Sequence, residues 1–164
     1  MASRGVHFAI ERTDAERLLS AASDEAVLAI VQDEIEERWE EEWLYQTDKA
    51  WDAIHRCLTG GRLSCSEGPY PLKLAVLGGD QLHEGEDYLV SFVNPEQAGD
   101  VARALRRIDR RWLRGRYDSL DADLYGVPKT DEDWEYTWDY FSGLPSFFER
   151  AAEAGRYVLF SVDL

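Results

Sequence analysis

The chain ends in Arg156-Tyr-Val-Leu-Phe-Ser-Val-Asp-Leu164, where apolar residues follow one another with little alternation. Such a run has no polar face to offer solvent, so it reads as a central strand with structure packed on both sides. A central strand needs neighbours, and two other stretches supply them. Gly5 to Ile10 alternates Val6, Phe8 and Ile10 against His7 and Ala9, while Tyr88-Leu-Val-Ser-Phe-Val93 is rich in β-branched and aromatic residues. The expected fold is α+β: a single compact domain over residues 1–164, with a small mixed sheet (strands near 5–10, 88–93 and 156–163) packed by several amphipathic helices. No Pro/Gly/Ser tract divides the chain, and no repeat is evident.

Helix signals fill the intervals. Thr13 and Glu16 have capping-box spacing, and Ser23-Asp24 is a second start, followed by Val27, Leu28, Val31, Ile35 and Trp39 at three- and four-residue steps. Asp48 reads as the N-cap of a helix with an Ala50, Trp51, Ile54, His55 and Leu58 stripe, closed by Gly60 as a left-handed residue. Asn94-Pro-Glu-Gln97 opens a helix to about Ile108, with Ala98, Val101, Ala102 and Leu105 inward. Residues 118–130 look irregular. Asp131 to Phe141 then lines up Trp134, Trp138 and Phe141, and Pro145 opens a last helix that Gly155 ends.

Charge narrows the function classes. A formal net charge of −15 opposes nucleic acid and anionic membrane, since a binder of either must present a clustered basic surface. The exception is Arg103, Arg106, Arg107, Arg110, Arg111, Arg114 and Arg116, opposed within that segment only by Asp109. It reads either as a solvated helix face paired with acidic neighbours or as an anion patch. Its acidic counterpart is Gln32-Asp-Glu-Ile-Glu-Glu-Arg-Trp-Glu-Glu-Glu-Trp43. Either the Arg segment compensates it, or Glu36, Glu37, Trp39, Glu40 and Trp43 form a surface for a cationic partner. Charge interrupts the N-terminus before a signal-peptide core develops, and no run approaches about 18 apolar residues, so a cytoplasmic location is expected.

Few residues offer chemistry. His7, His55 and His83 show no metal-ligand spacing, no cofactor motif is present, and Cys57 and Cys65 read as reduced thiols. No nucleophile elbow or phosphate loop occurs. The candidate ligand site is Trp51, Asp52 and His55: indole and imidazole stand four residues apart, and Asp52 can orient the imidazole or pair with Arg56. Core packing is the competing reading of Trp51 and His55, while the charge-flanked Trp39, Trp43, Trp112, Trp134 and Trp138 read either as surface or rim residues that anchor an interface or as caps over a small core.

Four segments in order, Asp48-Lys-Ala-Trp-Asp-Ala-Ile-His-Arg-Cys-Leu-Thr-Gly60, Leu77-Gly-Gly79, Phe92-Val-Asn-Pro-Glu-Gln97 and Ala151-Ala-Glu-Ala-Gly-Arg-Tyr-Val-Leu-Phe160, resemble the YfbM-like family of bacterial proteins of unknown function. The resemblance spans nearly the whole chain, and its most specific part is the Asp-Lys-Ala-Trp helix. It implies a cytosolic α+β domain and no catalytic residues. Met1-Ala-Ser-Arg4 departs from the family's usual start, and the Arg segment is richer in Arg. The leading expectation is a non-enzymatic protein-binding module whose acidic surface receives a cationic partner, a toxin domain being one example. The alternative is a small-ligand binder or hydrolase-type enzyme using the Trp51/His55 face.

Overall fold

The terminal apolar run forms β5 (Tyr157–Asp163) in the middle of a five-stranded sheet in the computed structural model, which describes residues 3–164. Its companions are β1 (Gly5–Ile10), β2 (Leu44–Asp48), β3 (Asp80–Glu84) and β4 (Tyr88–Val93), in the order β2-β1-β5-β4-β3. All neighbouring strands pair antiparallel, which corrects the mixed sheet expected above. Strand directions are set by the hairpin joining β3 to β4 and by returns through helices, and neither leaves a mark in strand composition. Met1 and Ala2, where the chain departs from the family's start, lie outside the described residues.

The sheet is covered on both faces, as the composition of β5 demands. Leu159 stands between Phe8 of β1 and Phe92 of β4, facing α1 (Arg12–Leu19), α2 (Asp24–Ile30) and the wider π turn Val31–Glu36 that continues it. Val158, Phe160 and Val162 face the larger layer: α3 (Trp51–Leu58), α4 (Pro95–Arg106), α5 (Arg110–Asp118), α6 (Ala122–Tyr125), α7 (Asp131–Ser142) and α8 (Leu144–Glu153). Each fully buried Leu or Phe contributes roughly 2–3 kcal/mol, so a strand buried on both faces anchors two cores at once.

Local signals hold at some ends and fail at others. Asn94 and Gln97 form the reciprocal capping box of α4, at 2.8 and 2.9 Å, and Ser23 Oγ accepts from Ala26 N–H at 3.2 Å. The Thr13/Glu16 pair caps nothing, because α1 starts one residue before Thr13, with Glu11 at the N-cap position. Asp48 is not an N-cap either. It ends β2 at φ +44°, and Ala50 precedes α3 with no side-chain cap. Gly61 at φ +89°, rather than Gly60, is the left-handed residue after α3. The helix expected to reach Ile108 breaks at Arg107 and restarts where Asp109 caps α5, and α6 forms within the stretch read as irregular.

Candidate functional site

His55 has no exposed surface. Its Nε2 lies 2.8 Å from the Ser64 carbonyl, and its Nδ1 lies 3.5 Å from the Leu77 N–H, a donor that calls for the Nε2-protonated tautomer. Burial lowers the imidazole's pKa, more than the Ser64 bond raises it, which keeps the ring neutral. The side chain thus pins the loop after α3 from both ends. His55→Ala is expected to cost about 2 kcal/mol, as a lower urea midpoint at unchanged slope; an unaltered midpoint contradicts this role.

Trp51 and Asp52 sit one turn earlier, and the structure separates them from His55. They line a cavity of about 260 Å³ with Tyr125, Asp133, Tyr136 and Thr137, which His55 does not reach. The Trp51 indole donates to the Ser3 carbonyl at 3.0 Å, and Asp52 accepts from Arg56 at 2.6 Å. Burial holds the Asp52 carboxyl above the usual carboxylate range against the pull of Arg56. Asp133 Oδ2 accepts from the hydroxyls of Tyr117 (2.6 Å) and Tyr125 (2.8 Å), while Tyr136 donates to Asp48 at 2.5 Å. Burial, reinforced by those carboxylates, raises the pKa of all three phenols, so they stay donors. Sequence reasoning missed this group. Its signal is Asp133, Tyr136 and Thr137 at three- and four-residue spacing along α7, beside the Trp134/Trp138/Phe141 face that was read instead.

The acidic stretch does not form one face. The π turn directs Glu36 toward the sheet, where it accepts from Ser161 Oγ at 2.9 Å and from the Tyr88 hydroxyl. Trp43 is half-buried, with the Arg156 guanidinium 3.8 Å above its ring. Glu37, Trp39 and Glu40 are exposed, as are Glu41 and Glu42. Trp39 sits at φ +43°, a conformation uncommon for a bulky residue, and its ring meets Phe8 edge-on at 6.0 Å.

The Arg segment does not compensate this stretch. Arg17 and Arg38 do so locally, pairing with Glu34 and Glu40, and Arg38 also binds Asp14 of α1. The Arg segment instead pairs with acids of its own layer: Arg103 with Asp100, Arg106 with Glu149, Arg110 with Glu135, and Arg114 with Asp118 and Asp131. Arg110 and Arg114 also cover the Trp134 ring, at 5.6 and 5.4 Å, which is how a Trp flanked by acids can be buried. Both cysteines are free, and burial pushes the Cys57 thiol up to about 12. Among the described residues no cluster of three or more His, Cys, Asp or Glu could hold a metal ion, and no helix is long and apolar enough to cross a membrane.

A family model described as a domain of unknown function, DUF1877, matches residues 1–161. Among solved structures, the chain is similar to a protein of unknown function, YfbM from Escherichia coli, with a TM-score of 0.66 at 20% identity over 99% of each chain. At that identity the likeness establishes a shared fold alone. No curated protein matches the chain in sequence.

Proposed function

As the chain belongs to the DUF1877 family, whose description assigns no function, we propose that it acts as a non-enzymatic, cytoplasmic protein-binding module. Its acidic surface receives a cationic partner, for instance a toxin domain that it neutralises. The observation that carries this reading is how the charge is distributed. Most of the Arg segment is tied up in ion pairs within its own layer, whereas Glu37, Glu41 and Glu42 have no ion-pair partner among the described residues. Uncompensated single-sign charge steers association with an opposite surface, and an exposed Trp supplies contact area beside it. A left-handed Trp39 costs about 1–2 kcal/mol, a strain more readily understood where the indole is used than where it only packs.

Retention of bacterial proteins on the immobilised chain, at low and high salt, tests the reading. The expected result is a partner held at low salt, released at high salt and lost from a Glu37→Lys/Trp39→Ala chain. Finding no salt-sensitive partner sinks the proposal.

A second reading rests on the cavity beside Trp51 and Asp52. Its aromatic walls and two carboxylates suit a small polar or cationic ligand. The hydrolase version of this reading loses its base, because both ring nitrogens of His55 are engaged away from the cavity.

A further inference from the structure

Strand β2 is one edge of the sheet, and α7 packs beside it, with the Tyr45 hydroxyl donating to the Tyr140 carbonyl. Antiparallel pairing uses only half of an edge strand's N–H and C=O groups, so alternate residues of β2 turn theirs away from β1. Among the described residues, no segment other than β1 makes a backbone hydrogen bond to Leu44, Tyr45 or Gln46. The strand carries neither lysine nor proline, the usual blunting residues of a free edge. Along this edge runs a cleft of about 570 Å³ lined by Trp39, Glu41, Tyr45, Asp139 and Tyr140, together with Leu44 and Gln46 of the strand.

The charge of the cleft selects its occupant. Glu41 and Asp139 are exposed and make no ion pair among the described residues. Two copies of this chain joined edge to edge would bring these carboxylates together within a pair of molecules each bearing a net −15, which disfavours self-pairing. A lysine- or arginine-bearing strand would instead neutralise them, and Trp39, Tyr45 and Tyr140 line the cleft where its side-chain stems would lie.

We propose that the outer edge of β2 binds an extended basic segment of a partner protein by strand addition, with its backbone paired to Leu44–Gln46, before the Thr47 carbonyl taken by Ala50 N–H and the left-handed Asp48, and its cationic side chains between Glu41 and Asp139. This rests on the acidic-surface reading above and specifies the partner's shape. Strand addition takes affinity from main-chain bonds and specificity from alternate side chains, which fits a cleft with an unpaired edge on one wall and carboxylates beside it.

The test is an NMR titration of the full-length, isotope-labelled chain with a nine-residue peptide of alternating lysine and valine. Two further peptides are N-methylated at alternate residues, one in each register, and a fourth replaces lysine with glutamate. The expected result is shift changes and slowed amide exchange within Leu44–Gln46. One methylated register should bind about tenfold more weakly, the glutamate peptide should not bind, and a Glu41→Lys/Asp139→Lys chain should lose the response. Binding without protection of β2, or equal binding by both methylated peptides, overturns strand addition but leaves the acidic-surface reading standing. Absence of any shift also overturns it, and retention of salt-sensitive partners then decides separately on the acidic surface. Concentration-dependent dimerisation through β2 without peptide would assign the edge to a second copy and overturn the proposal.

Discussion

Gly78→Ala is expected to lower the unfolding free energy by about 3 kcal/mol, read as a fall in the urea midpoint. A Cβ at Gly78 would overlap the Lys73 carbonyl oxygen and stand 2.8 Å from its carbon and 3.1 Å from Lys73 Cβ. The carbonyl is poorly placed to retreat, since it accepts the Gly78 N–H at 2.8 Å while Lys73 N–H is tied to Pro69 at 3.0 Å. The next residue is equally confined: a Cβ on Gly79 would lie 2.5 Å from the Phe92 carbonyl oxygen. Gly60→Ala is the control, because a Cβ there meets nothing within 4 Å and the change should stay within about 0.5 kcal/mol. Equal midpoints for the Gly78 variant and the parent would contradict this account of the Leu77-Gly-Gly79 turn. That turn and the α3 motif are one assembly, for Leu77 N–H reaches His55 Nδ1.

His7 is expected to make the protein acid-sensitive by about 3 kcal/mol. Its ring has no exposed surface, lies among Phe160 (4.8 Å), Phe148 (5.8 Å) and Phe147 (6.2 Å), and is hydrogen-bonded through Nε2 to the Ala75 carbonyl at 2.7 Å. Burial outweighs that bond and lowers its pKa from 6.5 to about 4. In the unfolded chain the imidazole takes a proton as pH falls below 6.5, whereas the folded ring resists until about 4. Stability that is full above pH 6.5 is therefore lost progressively on the way down to about 4. His55, lowered in the same direction, adds to the trend. Carboxylates also titrate in this range, so the measurement is a comparison of unfolding free energies at neutral and acid pH for the parent and His7→Phe. The variant should show the shallower loss; parallel pH profiles would rule out the His7 contribution.

What could be read from the residues alone followed how strongly burial marks them. β5, β1 and β4 were legible because interior strands must be apolar on at least one face. β2 and β3 were not: Leu-Tyr-Gln-Thr-Asp and Asp-Gln-Leu-His-Glu are edge strands, part exposed, without the apolar alternation that reports a strand. The Asn94 box was legible since its partners are local, while Asp48 offered the right residue type two residues before the N-cap position of α3 and serves Tyr136 across the fold instead. Trp51, Asp52 and His55 were grouped by helical spacing, but which neighbours each meets depends on Ser64, Leu77, Tyr125 and Asp133, brought in by distant segments. Charged neighbours in sequence left Trp134 and Trp138 open between a rim anchor and a core cap, and guanidinium groups over the Trp134 ring show how it can be buried at 2% exposure beside acids.

His55 of the family's most specific motif ties down the loop after α3, and our proposal places partner binding elsewhere, at the acidic edge near Trp39 and β2. The most direct test is salt-sensitive partner retention measured side by side on the parent, His55→Gln and Glu37→Lys/Glu41→Lys/Glu42→Lys chains, each first shown to be folded by circular dichroism. The account predicts that the His55 variant keeps the parent's partner and that the charge-reversed chain loses it. Loss with His55→Gln and retention by the charge-reversed chain would contradict it.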